Sequence, residues 1–183
     1  MLSTIAFGLR GLQFVFAIVI LGLAVTLFKQ QVYGSAPTTT TYSIFTGAFG
    51  IIVAVAGVAG LLVDAIPSIV NLVLDGVLGI LFLGGGIAWA VGLKGINCKS
   101  QETQNAQSML FNGLLNQGST DAGHGNYYGV ADGATTPEEI FDRLTSNCQK
   151  AMADEVVQFI SFGLAIGLVV VTFLNRRKGG YLS

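Results

Sequence analysis

Four apolar runs constrain this chain more than any other feature: approximately Leu12 to Phe28, Tyr42 to Val63, Ile69 to Leu93 and Val156 to Leu174. A hydrocarbon core about 30 Å thick takes roughly 20 mostly apolar residues in a helix rising about 1.5 Å per residue. The four runs approach or meet that length. Their charges stand at the borders, where water or snorkelling can serve them: Arg10 and Lys29 around the first, Asp64 after the second, Lys94 after the third, and Arg176, Arg177 and Lys178 after the fourth. A cleaved signal peptide is the competing reading of the first run. That run is long for a signal sequence, and Phe28, Lys29 and Gln30 do not form a small-residue cleavage site, so a membrane anchor is expected. The predicted architecture is an all-α membrane protein, a four-transmembrane-helix bundle forming one domain over residues 1–183.

Composition agrees, with 52% apolar and 10% charged residues where a soluble domain carries about 25% charged. The mean hydropathy of +0.68 points the same way. With a net charge of −1 and no basic stripe interleaved with aromatics, the footprint of a nucleic-acid binder is missing, and no such partner is expected.

The connections are unequal. A Thr- and Ser-rich loop follows the first run, a tight turn around Pro67 joins the second to the third, and a long loop over 94–155 precedes the fourth. Within that loop Met109, Leu110, Leu114 and Leu115 predict a short amphipathic helix. A second helix has clearer punctuation: Thr135 or Thr136 as N-cap, Pro137 in its first position, then Glu138 and Glu139 at the positive end of the dipole. Its stripe of Ile140, Phe141, Leu144, Cys148 and Met152 leads towards the fourth span. Gly118 to Gly133, rich in Gly, Asp and Asn, reads as a flexible tip.

Four spans put both termini on one side. Arg10, Arg176, Arg177 and Lys178 on that side nearly balance Lys29, Lys94, Lys99, Arg143 and Lys150 on the other. Long loops translocate with little regard to charge, and this one holds most of the acidic residues, so cytoplasmic termini and an extracellular loop are expected. Cys98 and Cys148 at the two feet of that loop then sit in an oxidising compartment, and a disulfide between them is predicted. Zinc would want four ligands, and His124 is the sole histidine.

Neither a nucleophile with its base nor a metal site can be assembled from these residues, and no enzyme is expected. Gly84, Gly85 and Gly86 lack the Lys and Ser or Thr of a phosphate loop. Small residues recur instead at spacings of three and four: Gly47, Gly50, Ala54 and Gly57 in the second span, Gly79, Gly86 and Ala90 in the third, and Gly163 and Gly167 as GxxxG in the fourth. Such seams let helix backbones approach closely in lipid, within one bundle first and between protomers second. Asp75 is the one ionisable residue placed well inside a span, about 12 Å along the third helix if that helix starts near Pro67. Asn71 lies one turn earlier on the same face. A structural pair of Asp75 with Arg10 or, less readily, Arg176, or a protonated Asp75 bonded to Asn71, is the expected role.

Four spans, the tight turn between the second and third, the third helix running from Leu74, Asp75 and Gly76 to Ala90, Val91, Gly92 and Leu93 ahead of Cys98, and Cys148 just before the last helix together resemble the fungal MARVEL-domain proteins of the non-classical export and eisosome family. That resemblance covers nearly the whole chain, with a longer loop and a shorter C-terminal tail than the family's best-known yeast member. It implies a plasma-membrane protein of eisosome-linked microdomains, sphingolipid-responsive and historically linked to unconventional secretion. On this reading the chain is a lateral organiser of lipids, a homo-oligomer whose partners are membrane lipids and other microdomain proteins. No cofactor is expected other than bound lipid, a sphingolipid or a sterol. The alternatives are a small transporter or channel-forming subunit using Asp75, and a trafficking or cargo adaptor.

Overall fold

A computed structural model describes residues 2–62, 68–100, 102–121 and 126–179. Four long helices dominate it: α1 (Leu2–Lys29), α2 (Thr38–Leu62), α3 (Ser68–Gly92) and α5 (Pro137–Gly179), each long and apolar enough to cross a membrane. Between α3 and α5 come the short helix α4 (Thr103–Phe111), strands β1 (Ser119–Asp121) and β2 (Asn126–Tyr128), and a 3-10 turn (Gly129–Ala131). A helix closes all its backbone hydrogen bonds internally, which lipid demands because it offers none in exchange.

The helices form a ring in which α1 packs on α2 and α5, and α3 packs on the same two neighbours. Side chains are distributed in the reverse of a soluble bundle. Large apolar groups point outward, among them Ile5, Val15, Ile52, Ile80, Val91 and Ile160, while alanines and nearly all the intramembrane polar groups point inward. Ile20, Val53, Leu78 and Phe82 fill the middle of the ring.

One boundary differs from expectation and another bears it out. The first helix begins at Leu2 and its candidate span at Thr4, rather than at Leu12, which places Arg10 inside the helix and 3% exposed instead of at a border. A charge is admitted there because a carboxylate across the bundle meets it. The fourth span belongs to one unbroken 43-residue helix starting at Pro137, about 65 Å long at ~1.5 Å per residue, or twice the hydrocarbon thickness. Its N-terminal half therefore stands outside the lipid. The Thr136 Oγ1 accepts the Glu139 N–H at 3.3 Å, and the Glu139 carboxylate reaches back to the Thr135 N–H at 2.9 Å, which caps that outer end.

The long connection folds into a lobe with its own core, built from Met109, Leu115, Val130, Leu144 and Ala151 around the Cys98–Cys148 disulfide and continuous with Leu27, Trp89 and Leu93 of the bundle. Most of the expected flexible tip is ordered instead: β1 and β2 pair antiparallel, Ser119 opposite Tyr128. Its glycines and polar residues serve tight backbone geometry. Gly118 has φ +89°, and a Cβ there would fall 1.8 Å from the Tyr33 carbonyl oxygen. Val32 N–H donates to the Gln117 carbonyl at 2.9 Å, which fastens the hairpin to the first loop. The turn at Asp64 and Pro67, and His124 at the tip, lie outside the described residues.

Candidate functional site

Two buried polar clusters cross the ring, one near each end. The first joins α1 to α3. Arg10 Nη1 and Nη2 donate to Asp75 Oδ1 and Oδ2 at 2.5 and 2.6 Å. Gln13, one turn on from Arg10, accepts from Arg10 Nη1 at 2.8 Å and donates to Asp75 Oδ1 at 3.3 Å. All three are buried, Asp75 completely. Gly57 of α2 makes the room, since a Cβ there would lie 2.2 Å from Arg10 Nε. A paired, fork-to-fork guanidinium and carboxylate form a neutral unit that lipid tolerates far better than either charge alone. Outside it a shallow groove of about 240 Å³ is lined by Arg10 itself together with Gly11, Phe14, Ala54, Val55 and Val58.

Asn71 is buried nearby but does a different job from the one expected. Its Nδ2 occupies the place where a Cβ on Gly60 would sit, at 2.3 Å, so it fits a notch in α2. The hydrogen bonds of Asp75 run to Arg10 and Gln13.

The second cluster joins α2 to α5 near the lobe, and sequence reasoning missed it. Ser43 Oγ accepts from Trp89 Nε1 at 2.7 Å and from Gln158 Nε2 at 2.8 Å, and Gln158 Nε2 also donates to Asp154 Oδ1 at 2.8 Å. Ser43, Trp89, Asp154 and Gln158 are all fully buried. Asp75 is thus not alone, for Asp154 sits in the bundle too. Asp154 falls just ahead of the apolar run at Val156, between the expected stripe ending at Met152 and the span, so hydropathy places it outside the bundle. One available signal was the Asp154 and Gln158 pair at i, i+4. Another was the triple glycine opposite: a Cβ on Gly85 would lie 1.7 Å from Gln158 Oε1, and one on Gly84 would lie 3.2 Å from the Tyr42 hydroxyl.

The small-residue seams divide. A Cβ on Gly47 would meet the Leu21 backbone at 2.7 Å, one on Gly50 would meet Ala17 and Phe82 at 3.0 Å, and Ala54 is buried. Gly79 faces Ala165 at 3.3 Å and Gly86 faces the Phe159 ring at 3.1 Å. These positions pack helices within the ring. Around Gly163 and Gly167, by contrast, nothing lies within 4 Å. Arg177, on the last turn of α5, is exposed and stacks over Phe173 at 5.9 Å from the ring centroid. The side chains of Arg176 and Lys178 lie outside the described residues. Cys98 and Cys148 are joined, their Cα atoms 5.5 Å apart.

A multi-pass helical bundle, inverted in polarity and closed by a disulfide-tied lobe between its third and fourth spans, is what these observations describe. No curated protein and no solved structure matches the chain. The family model for the MARVEL membrane-associating domain matches residues 2–171, nearly the full length, and the chain belongs to that family.

Proposed function

We propose that this protein is a lateral organiser of the plasma membrane: protomers associate through the outward GxxxG of α5 and hold lipid in the grooves between them. The observation carrying this reading is the division among the glycines. Gly47, Gly50, Gly57, Gly79 and Gly86 are filled by a neighbouring helix, whereas Gly163 and Gly167, like Gly76 of α3 and Gly8, Gly11 and Gly22 of α1, have open space where a Cβ would stand, and of these the α5 pair forms the GxxxG. Lipid tails supply no hydrophobic drive for helix association, so close backbone approach at small residues is the available attraction. Asp75 supports a structural role over transport, since Arg10 and Gln13 occupy its oxygens, Asp75 itself is fully buried, and the groove beside the pair is lined, Arg10 apart, by apolar residues. On the same reading the termini are cytoplasmic, the disulfide-tied lobe is extracellular, the partners are lipids and other microdomain proteins with no nucleic acid, and no reaction is catalysed. Resemblance to fungal eisosome proteins adds sphingolipid-responsive microdomains and a link to unconventional secretion as the setting.

Gly163→Leu combined with Gly167→Leu tests the idea. The expected result is a protein that inserts, forms its disulfide and melts as before, while its membrane clusters disperse and its cross-linked dimers disappear. Clustering that survives the double change in a folded protein would sink the organiser reading and favour the adaptor.

A further inference from the structure

Asp154 and Gln158 stand one turn apart on α5, both completely buried. The two Gln158 amide hydrogens are used, one on Asp154 Oδ1 and one on Ser43 Oγ, each at 2.8 Å. Ser43 Oγ accepts a second bond from Trp89, so its lone pairs are filled. Two buried acceptors are left without a donor: Asp154 Oδ2 and Gln158 Oε1. Among the described residues the ion pairs are Arg10 with Asp75 and Arg143 with Glu139, so Asp154 has no cation of the kind that meets Asp75.

Three species could fill two vacant acceptors. A calcium ion takes six to eight oxygens and magnesium a near-ideal octahedron, so two oxygens are too few. A bridging water would satisfy both acceptors yet leave a full, unpaired negative charge in the core, which low-dielectric surroundings strongly disfavour. A proton removes the charge and supplies the missing donor in one step. With hydrogen on Oδ2, the acid O–H donates to Gln158 Oε1 while the amide N–H already donates to Oδ1. A carboxylic acid and a primary amide are complementary in this way, and i, i+4 spacing puts the two side chains one turn apart on the same face of α5, already joined by the amide N–H on Oδ1.

We propose that Asp154 is a proton-binding site, and that its neutral carboxyl forms a two-hydrogen-bond ring with the Gln158 carboxamide that fastens α5 to Ser43 of α2 and Trp89 of α3. The groups facing it do not change the argument. On α5, the Lys150 ammonium donates to Gln30 Oε1, just beyond α1, at 3.4 Å, and Glu155 is half-buried. Lys29 of α1 and Lys94 beyond α3 are exposed. Tyr42 of α2 donates to the Leu81 carbonyl at 3.1 Å. The folded protein then holds a proton at pH values where the unfolded chain has released it, so this contribution is fully present below the unfolded carboxyl's pKa and is lost as pH rises through the raised folded one.

Infrared spectroscopy of the full chain in lipid vesicles at mildly acidic pH, where free carboxyls are still ionised, tests this. A protonated-carboxyl carbonyl band is expected in the wild type, absent in Asp154→Asn, and shifted to higher frequency in Gln158→Met, where its hydrogen-bond partner is gone. Asp154→Asn reproduces the donor and acceptor pattern of the neutral acid, so its Tm is expected to match the wild type at acid pH and to exceed it at neutral pH, where the wild type must take up a proton on folding. Should that variant not fold, alkaline titration of the wild type replaces it, and the band is expected to vanish reversibly. Absence of the band from the wild type overturns the proposal, as does its persistence in Asp154→Asn or through the alkaline titration. A band unmoved by Gln158→Met overturns the ring.

Discussion

Asp75 shows what one residue in a one-dimensional text can and cannot announce. A carboxylate amid apolar neighbours is conspicuous, so its burial was foreseeable, and Arg10 was one of two cations within reach. Its partner geometry was not foreseeable: Arg10 looked like a border charge, and Gln13 one turn later carried no signal that it closes the cluster. Because the pair is buried, removing one partner strands the other. Asp75→Leu is expected to lower stability by about 3–5 kcal/mol. Asp75→Asn is expected to be nearly as harmful, since the amide leaves the Arg10 charge uncompensated. Arg10→Met combined with Asp75→Leu removes both charges and is expected to recover most of the loss, as a double-mutant cycle of unfolding in detergent can measure. Additive losses would show that the two side chains act separately.

Among the elements, helix existence and approximate position followed directly from apolar run length, and the start of α5 at Pro137 followed from its capping residues. Harder to foresee was which way each glycine seam faces, because a stripe repeats in sequence whether its neighbour is a helix or lipid. The structure separates the two cases with a testable contrast. Gly57→Ala and Gly85→Ala would drive a methyl into Arg10 and Gln158, and each is expected to lower stability by about 1–3 kcal/mol through overpacking. Gly163→Ala meets open space and is expected to change protomer stability by less than about 0.5 kcal/mol. Thermal unfolding of the three variants in one detergent decides this, and equal losses would mean that the α5 seam is packed inside the bundle after all. The Asp154 cluster stayed hidden for a similar reason: a hydropathy window ends a span at the first charge, whereas the helix itself continues.

Across the whole molecule, the lobe and the bundle share a core but are secured differently. The disulfide closes a separation of 50 residues, which stabilises the lobe by about 4 kcal/mol in the chain-entropy model. Cys98→Ser with Cys148→Ser is therefore expected to raise hydrogen exchange in α4, the hairpin and the outer half of α5, with the amides of α1 and α2 still protected. Equal deprotection of the membrane helices would mean that the lobe supports the bundle's own fold. The bundle needs less help, and the reason lies in where its two polar clusters run. Four rods packed side by side around a ring behave like a square frame with hinged corners, which shears into a rhombus without stretching any side. Such a frame becomes rigid only when its diagonals have fixed length. Arg10 reaches Asp75 along the α1 to α3 diagonal, and Gln158 reaches Ser43 along the α2 to α5 diagonal, at opposite ends of the ring. Each end is thus braced against a different direction of shear, and a twist that loosened one brace would have to strain the other.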